Sequence, residues 1–368
     1  MASELAKKNR VLFISPPIWL GGLRVPQSVT KVFKRILLDH RRRIAPNLKL
    51  FSPYLLPRLI RKGDVEASVT SQIVRELTKL KFRNSIFINF DVHHYLLRQI
   101  GEAVSIYYAV DPAFINEATA DYETHTCQKS DLLLAVSEAY KRKLQKLAPG
   151  REVHIVPHGY DYRKAHKLAT RSEQNVPKEM LNLKGPIIGY VGSVYDAFVD
   201  LDLISFLSRV KPHYNFVFIG PYKNNPIAPS LSKIGCQKLR RLPNVKLLGP
   251  KHFNSLPYYI RCMDIGMILH NVASKGSPFS PRIRTPFKLL QYLSQGKPVV
   301  STQLNELSEL TDIIYLAKTP NDFADAIDAA LQEDISKRFS RMEYASNFSY
   351  EKILNRISEL IFDFEKTR

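Results

Sequence analysis

The chain has 368 residues, 45% of them hydrophobic and 24% charged. This excludes a disordered polypeptide and leaves room for two domains, each with its own core. The net charge of +20, of which residues 1–165 with 27 Lys/Arg against 15 Asp/Glu carry more than half, favours anionic partners: lipid headgroups, nucleic acid or phosphorylated ligands.

The charged start, Met1 to Arg10, runs straight into a strand and does not read as a secretory signal. No apolar run approaches the roughly 18–20 residues that cross a bilayer. Cys127, Cys236 and Cys262 lack metal-ligand or paired spacing, which suits reduced thiols in a cytoplasmic protein. Val11–Ser15 is a short apolar strand, followed by Pro16-Pro17 and a loop with Gly21 and Gly22. That matches the first strand of a doubly wound sheet, where ligands bind beyond the carboxyl ends of the strands. A basic helix follows, with Val29, Val32, Phe33, Ile36 and Leu37 at helical spacing and Lys31, Lys34 and Arg35 between them. Ile86–Phe90, Val104–Tyr108 and Leu132–Val136 read as later strands of the same sheet, and Val153–Pro157 closes the domain. Ile18-Trp19-Leu20 and Pro53–Lys62 are apolar with aromatic and basic flanks. They suit either a membrane-facing surface or contacts between domains, and the basic bias of this half favours the membrane.

Residues 166–185 are polar, contain Pro177, and read as a linker. The second sheet starts at Pro186–Val191. Strands at Asn215–Ile219, Val245–Leu248, Ile265–Leu269 and Pro298–Val300 alternate with helices, which predicts a parallel sheet. Between the last two lies Thr285-Pro286-Phe287-Lys288-Leu289-Leu290-Gln291-Tyr292-Leu293, then Gly296 and Pro298-Val299-Val300. Pro286 suits a first helical turn, Leu289, Leu290 and Leu293 share an apolar face, and Gly296 is placed to stop the helix. A helix start carrying Lys288 is a seat for a diphosphate, or else the start of an ordinary helix–strand unit. Phe348 through Phe364 reads as an amphipathic terminal helix.

The run P-x-K-L-x-Q-Y-L-x-x-G-K-P-V-V resembles the nucleotide-sugar-binding helix of GT-B glycosyltransferases, the family 4-like and glucuronosyltransferase-like group. The resemblance continues in family order through Ile188–Ser193, Phe218–Pro221, Leu242–Gly249, Leu256–Tyr259 and Met263–Leu269, and His158-Gly159-Tyr160-Asp161 resembles the family's P-N-G-V-D turn. It implies an α/β fold of two facing Rossmann-like domains with parallel sheets and an inter-domain cleft. Residues 1–165 are then the acceptor domain, 166–185 the linker, 186–347 the donor domain, and 348–368 a helix returning to the first domain.

The donor side by this resemblance comprises Gly192, Ser193, Gly220, His270, Arg284, Thr285, Pro286, Lys288 and Gln291. Gly192-Ser193 turns out of a strand where backbone N–H groups face phosphate, and Lys288 contacts the diphosphate. Arg282 and Arg284 clamp phosphate or an acidic sugar, or are surface charges. Many relatives carry two glutamates here; this chain has Ile283 and Gln291. An amide hydrogen-bonds a sugar hydroxyl but does not stabilise positive charge. Transfer to a hydroxyl needs a base, and Asp91, His93 and His94 after one strand compete with Asp111 after the next. Asp111 is the position matching the family's base region, or else the cap of a helix beginning at Pro112.

The expected function is transfer of a sugar from a nucleotide-diphosphate sugar, UDP-sugar favoured, to a membrane- or lipid-linked saccharide. The enzyme is expected to need no metal or cofactor and to sit in the cytoplasm, peripheral to an anionic inner membrane face. A nucleotide-sugar epimerase and a catalytically degenerate scaffold in a polysaccharide-assembly complex are the alternatives. A nucleic-acid partner is not expected, because charge alone supports it without a recognition motif.

Overall fold

The computed structural model describes residues 1–14, 18–19, 41–51, 53–55, 64–90, 94–110, 117–170, 176–195, 199–222, 237–270 and 287–368. The chain divides into two compact units, 1–156 with 354–368, and 157–353.

The second unit is built on a six-stranded sheet: β10 (Ile187–Val191), β11 (Asn215–Ile219), β12 (Val245–Gly249), β13 (Ile265–Ile268), β14 (Val299–Thr302) and β15 (Tyr315–Ala317). Its order is β12-β11-β10-β13-β14-β15, with every pair parallel. Every residue of β10 is buried, so the strand reads as a continuous apolar run because both faces are covered. Ile188 and Tyr190 pack on one side with the helices Leu201–Val210 and Pro320–Leu331. Ile187 and Val191 pack on the other with Leu256–Arg261 and Phe287–Leu293. Asp200 starts the Leu201–Val210 helix, its Oδ1 accepting the Leu203 N–H at 2.8 Å.

Residues expected to end the first domain and form a linker belong to the second unit from Pro157 onward. Tyr162–Thr170 is helical, and Met180 enters the core below the sheet. Glu179 accepts from Lys251 and from the Tyr259 hydroxyl, tying the segment down. Its polar residues alternate with a few buried anchors, a pattern too sparse for periodicity to register.

In the first unit β6 (Ser85–Asn89), β7 (Glu102–Ala109), β8 (Leu132–Ala135) and β9 (Val153–Ile155) form a parallel sheet in that order. The expected first strand, β1 (Val11–Ile14), is not in it among the described residues. β1 pairs parallel with β4 (Leu48–Phe51), whose other edge pairs antiparallel with β3 (Arg41–Ala45). The turn at Pro46-Asn47 makes this hairpin, and the Asn47 carbonyl accepts the Val11 N–H at 2.8 Å. β3 opens with three successive arginines, so it carries no apolar alternation that would mark a strand in the sequence. β2 (Ile18–Trp19) pairs with β5 (Tyr54–Leu55), the described parts of the two segments considered for membrane contact. Of the terminal helix Tyr350–Thr367, residues from Leu354 belong to this unit, where Arg368 donates to the Ala103 carbonyl at 3.1 Å.

Two carboxylates of this unit are held by several donors each. The fully buried Glu123 accepts from the Tyr107 hydroxyl at 3.0 Å and from Lys143 at 2.6 Å. Asp131 accepts the Ser105 N–H and hydroxyl, both at 2.8 Å, and a bond from Arg98. Burial pushes the Asp131 carboxyl up, but Arg98 and Ser105 outweigh it and hold the group below its usual range. A carboxyl depressed in the folded state adds stability above its unfolded pKa and loses it as pH falls through the folded one. Asp131→Asn is therefore expected to lower the melting temperature at pH 7, with the gap to the parent closing once pH drops below about 4. Paired melts from pH 3 to pH 7 check this, and a pH-independent gap would refute it.

Candidate functional site

The strand order of the second sheet reverses direction between β10 and β13, the switch point beyond whose carboxyl ends ligands bind in such sheets. β10 leaves the sheet at Gly192, with φ +145°, and β11 at Gly220, with φ +149°. A Cβ on Gly220 would lie 2.0 Å from the Gly192 carbonyl oxygen. The two turns are thus packed main chain on main chain, an approach that only glycine permits.

Hydrogen bonds decide which amides of this turn remain. Gly192 N donates to Ile219 O and Val194 N to Pro221 O, each at 2.9 Å, while Gly220 N donates to Gly249 O at 3.0 Å. The backbone cradle expected of Gly192-Ser193 narrows to the Ser193 N–H, which makes no hydrogen bond among the described residues.

Over the turn lies a cation. Lys288, in the first turn of the Phe287–Leu293 helix, donates to the Tyr190 hydroxyl at 2.8 Å, with its nitrogen 4.1 Å from the ring centroid. The same nitrogen is 3.1 Å from where a Gly192 Cβ would stand, so glycine at 192 leaves the space that the ammonium overlooks. The helix is held rigidly. Leu289, Leu290, Tyr292 and Leu293 are buried, and the Tyr292 hydroxyl accepts the Val191 N–H at 2.8 Å. The Tyr292 ring lies against Gly266, where a Cβ would come within 2.4 Å of it. The helix ends in a Schellman turn, Gly296 N to Leu293 O and Lys297 N to Tyr292 O, with Gly296 at φ +70°.

Among the expected donor residues, the structure brings Gly192, Ser193, Gly220 and Lys288 together. Gln291 shares the Lys288 helix and is buried, 4% exposed. His270 follows β13 on the neighbouring strand end, and its N–H donates to Thr302 Oγ1 at 3.1 Å. Arg284, Thr285 and Pro286 lie outside the described residues, as do Asp91, His93, Asp111, Gly21 and Gly22. His94 opens a short 3-10 turn, His94–Leu96, after β6. Tyr190 is the residue that sequence reasoning missed. It sits inside a strand run, where an aromatic reads as core, and it is core: Phe218 packs beside it with ring centroids 5.8 Å apart. Its position two residues before the glycine turn was the available signal.

The geometry offers one lysine and one unengaged amide at a glycine turn, chemistry suited to an oxyanion. Among the described residues no group of three or more His, Cys, Asp or Glu is placed to hold a metal ion. The chain has an Asp-x-Asp triplet, Asp200-Leu201-Asp202, a spacing that also suits metal binding, but Asp200 serves as the helix cap described above. No helix of the described residues is long and apolar enough to cross a membrane.

Residues 185–333 match the family model described as glycosyl transferases group 1. TuaH of Bacillus subtilis (strain 168), named as a teichuronic acid biosynthesis glycosyltransferase, is 30% identical over 191 residues, 51% of this chain and 44% of that protein. The chain thus spans less than half the length of the curated relative it matches. Among solved structures, Anabaena HepE in complex with UDP and glucose superposes with a TM-score of 0.65 at 15% identity, covering 96% of this chain and 99% of that one. Sucrose-phosphate synthase from Thermosynechococcus elongatus gives 0.68 at 13%, covering 100% and 92%. A UDP-forming α,α-trehalose-phosphate synthase from Burkholderia vietnamiensis gives 0.67 at 15%, covering 99% and 96%. These likenesses establish the fold, α/β with two Rossmann-like domains in the GT-B class.

Proposed function

We propose that this chain, whose residues 185–333 match the family model of group 1 glycosyl transferases, moves a sugar from a nucleotide-diphosphate sugar, UDP-sugar favoured, onto a membrane- or lipid-linked saccharide. The observation that carries the reading is the Lys288 ammonium standing over the Gly192 turn at the switch point. A diphosphate leaving group accumulates negative charge as its bond to the anomeric carbon breaks. A fixed cation and an amide donor stabilise that charge most where it develops.

In the proposed reaction the acceptor hydroxyl oxygen bonds to the anomeric carbon and passes its proton to a base. The carbon–oxygen bond to the diphosphate breaks, and UDP departs with the electron pair. Lys288 and the Ser193 N–H hold the diphosphate. Gly192 and Gly220 give the close approach, while His270, Gln291, Arg284, Thr285 and Pro286 complete the donor side. The base is Asp111, or His93 or His94 with Asp91, on the acceptor half, to which Gly21 and Gly22 are also assigned. The transfer proceeds without a metal, at the inner face of the membrane. The basic first half supports an anionic surface as partner. The UDP held by HepE and the teichuronic acid biosynthesis in the name of TuaH support the donor and product class.

Thermal denaturation against UDP, GDP, dTDP and CMP, with and without magnesium, tests this. A ligand at about 100 times its Kd stabilises the folded state by roughly 2.7 kcal/mol. The expected outcome is a shift with UDP that magnesium does not alter. No shift with any of the four would overturn the donor assignment and favour the scaffold alternative.

A further inference from the structure

We infer that Tyr190 is the positioning residue of the proposed donor site: its hydroxyl holds the Lys288 ammonium over Gly192 and fastens the Ser193 carbonyl, so that lysine and loop meet one diphosphate together. This rests on the reading above and adds a residue to it.

The Tyr190 hydroxyl is the centre of a short relay. It accepts from Lys288 Nζ at 2.8 Å and donates to the Ser193 carbonyl at 3.2 Å. One hydrogen and one acceptor role are thereby used in matched directions. The ring is immobile: Tyr190 is 2% exposed and lies in the core cluster with Phe216 and Phe218. Burial pushes its hydroxyl well above the ordinary tyrosine value, so it stays a neutral acceptor for the ammonium across the working range.

What the relay supplies is preorganisation. A lysine side chain carries about 2 kcal/mol of rotamer entropy, part of which is lost when it is fixed on an anion. Here the nitrogen is fixed beforehand, by the hydroxyl and by the ring face beneath it. The Ser193 carbonyl is engaged by the same hydroxyl that fixes the lysine, while the Ser193 N–H makes no bond among the described residues. One atom therefore sets the mutual position of the two groups assigned to the diphosphate.

Tyr190→Phe removes only the oxygen and leaves the ring. Titration calorimetry with UDP, and with inorganic pyrophosphate as a second probe, is run on the parent, Tyr190→Phe, Lys288→Met and the double variant. The hydroxyl is expected to be worth about 3- to 10-fold in Kd for both probes in the parent background. Once Lys288 is gone it should be worth clearly less, because the part of its effect that acts through that side chain is lost and only its hold on the Ser193 carbonyl remains. A penalty of equal size in both backgrounds would show Tyr190 acting independently of the lysine and overturn the inference. So would Tyr190→Phe binding both probes as the parent does. If the parent binds neither probe, the functional reading falls and this inference with it.

Discussion

Lys288→Met is expected to weaken the proposed UDP binding by roughly 10- to 100-fold while leaving the fold intact. The expected size follows from a hydrogen bond between charged partners, about 1.5–3 kcal/mol net, where each 1.4 kcal/mol is tenfold. Methionine matches the stem of lysine, so the packing of the helix start survives and only the ammonium is lost. The loss of the contact with the Tyr190 ring costs about 0.5–1 kcal/mol of stability. If the ammonium stabilises the leaving diphosphate more than the bound donor, kcat falls as well as affinity. Calorimetry, a melt without ligand and initial rates separate these effects. Unchanged UDP affinity in a folded Lys288→Met protein would remove the site from this switch point.

Arg341→Met is expected to lower the stability of the second unit by about 3–5 kcal/mol, the cost of leaving a buried charge without its partner. Arg341 is fully buried in the Ser336–Ser346 helix. It grips both carboxylate oxygens of Glu333 and donates through Nε to the Ile313 carbonyl at 2.7 Å. The Tyr315 hydroxyl, pushed up to about 12 by burial and then by Glu333, adds a bond to the same carboxylate at 2.9 Å. The pair therefore links the end of the Pro320–Leu331 helix to the last strand of the sheet and to the Ser336–Ser346 helix. For a unit of this size each kcal/mol moves the midpoint by about 2–4 °C, so the melt should drop by roughly 6–20 °C. The double variant Arg341→Met with Glu333→Leu recovers much of the loss, since no lone charge stays buried. A single variant melting like the parent would show that the pair contributes little.

The two effects concern different ends of the same sheet. Tyr190 lies near the carboxyl end of β10 with Lys288 over the turn that follows it, whereas Glu333 lies with Asp264 and Pro298, the residues that precede β13 and β14, around a cavity of about 520 Å³. Stability at one end and donor chemistry at the other are separable by mutation for that reason.

Much of the second unit was legible in the chain. Apolar runs at β10, β11, β13 and β14 matched strands because a strand covered on both faces needs apolar side chains at every position. Gly296 marked a helix end because a left-handed residue is required there, a demand met within one turn of backbone. The same holds for Lys288 near its helix start, which depends on a few neighbours only. Such features are carried by the residues themselves and their nearest partners along the chain.

Other features depended on partners far along it. That Gly220 must be glycine follows from the Gly192 carbonyl pressed against it. That Tyr190 is more than core follows from a lysine 98 residues away. The pairing of β1 with β4 and the inclusion of residues 157–185 in the second unit likewise depend on which surfaces meet. The sequence by itself determined the parallel strand–helix alternation, the glycine turns and the place of the candidate lysine, because dihedral preference and hydrophobic period act over a few residues. Only the tertiary structure decided sheet membership, unit boundaries and the Tyr190–Lys288–Ser193 relay, because those rest on contacts between segments whose local preferences say nothing about each other.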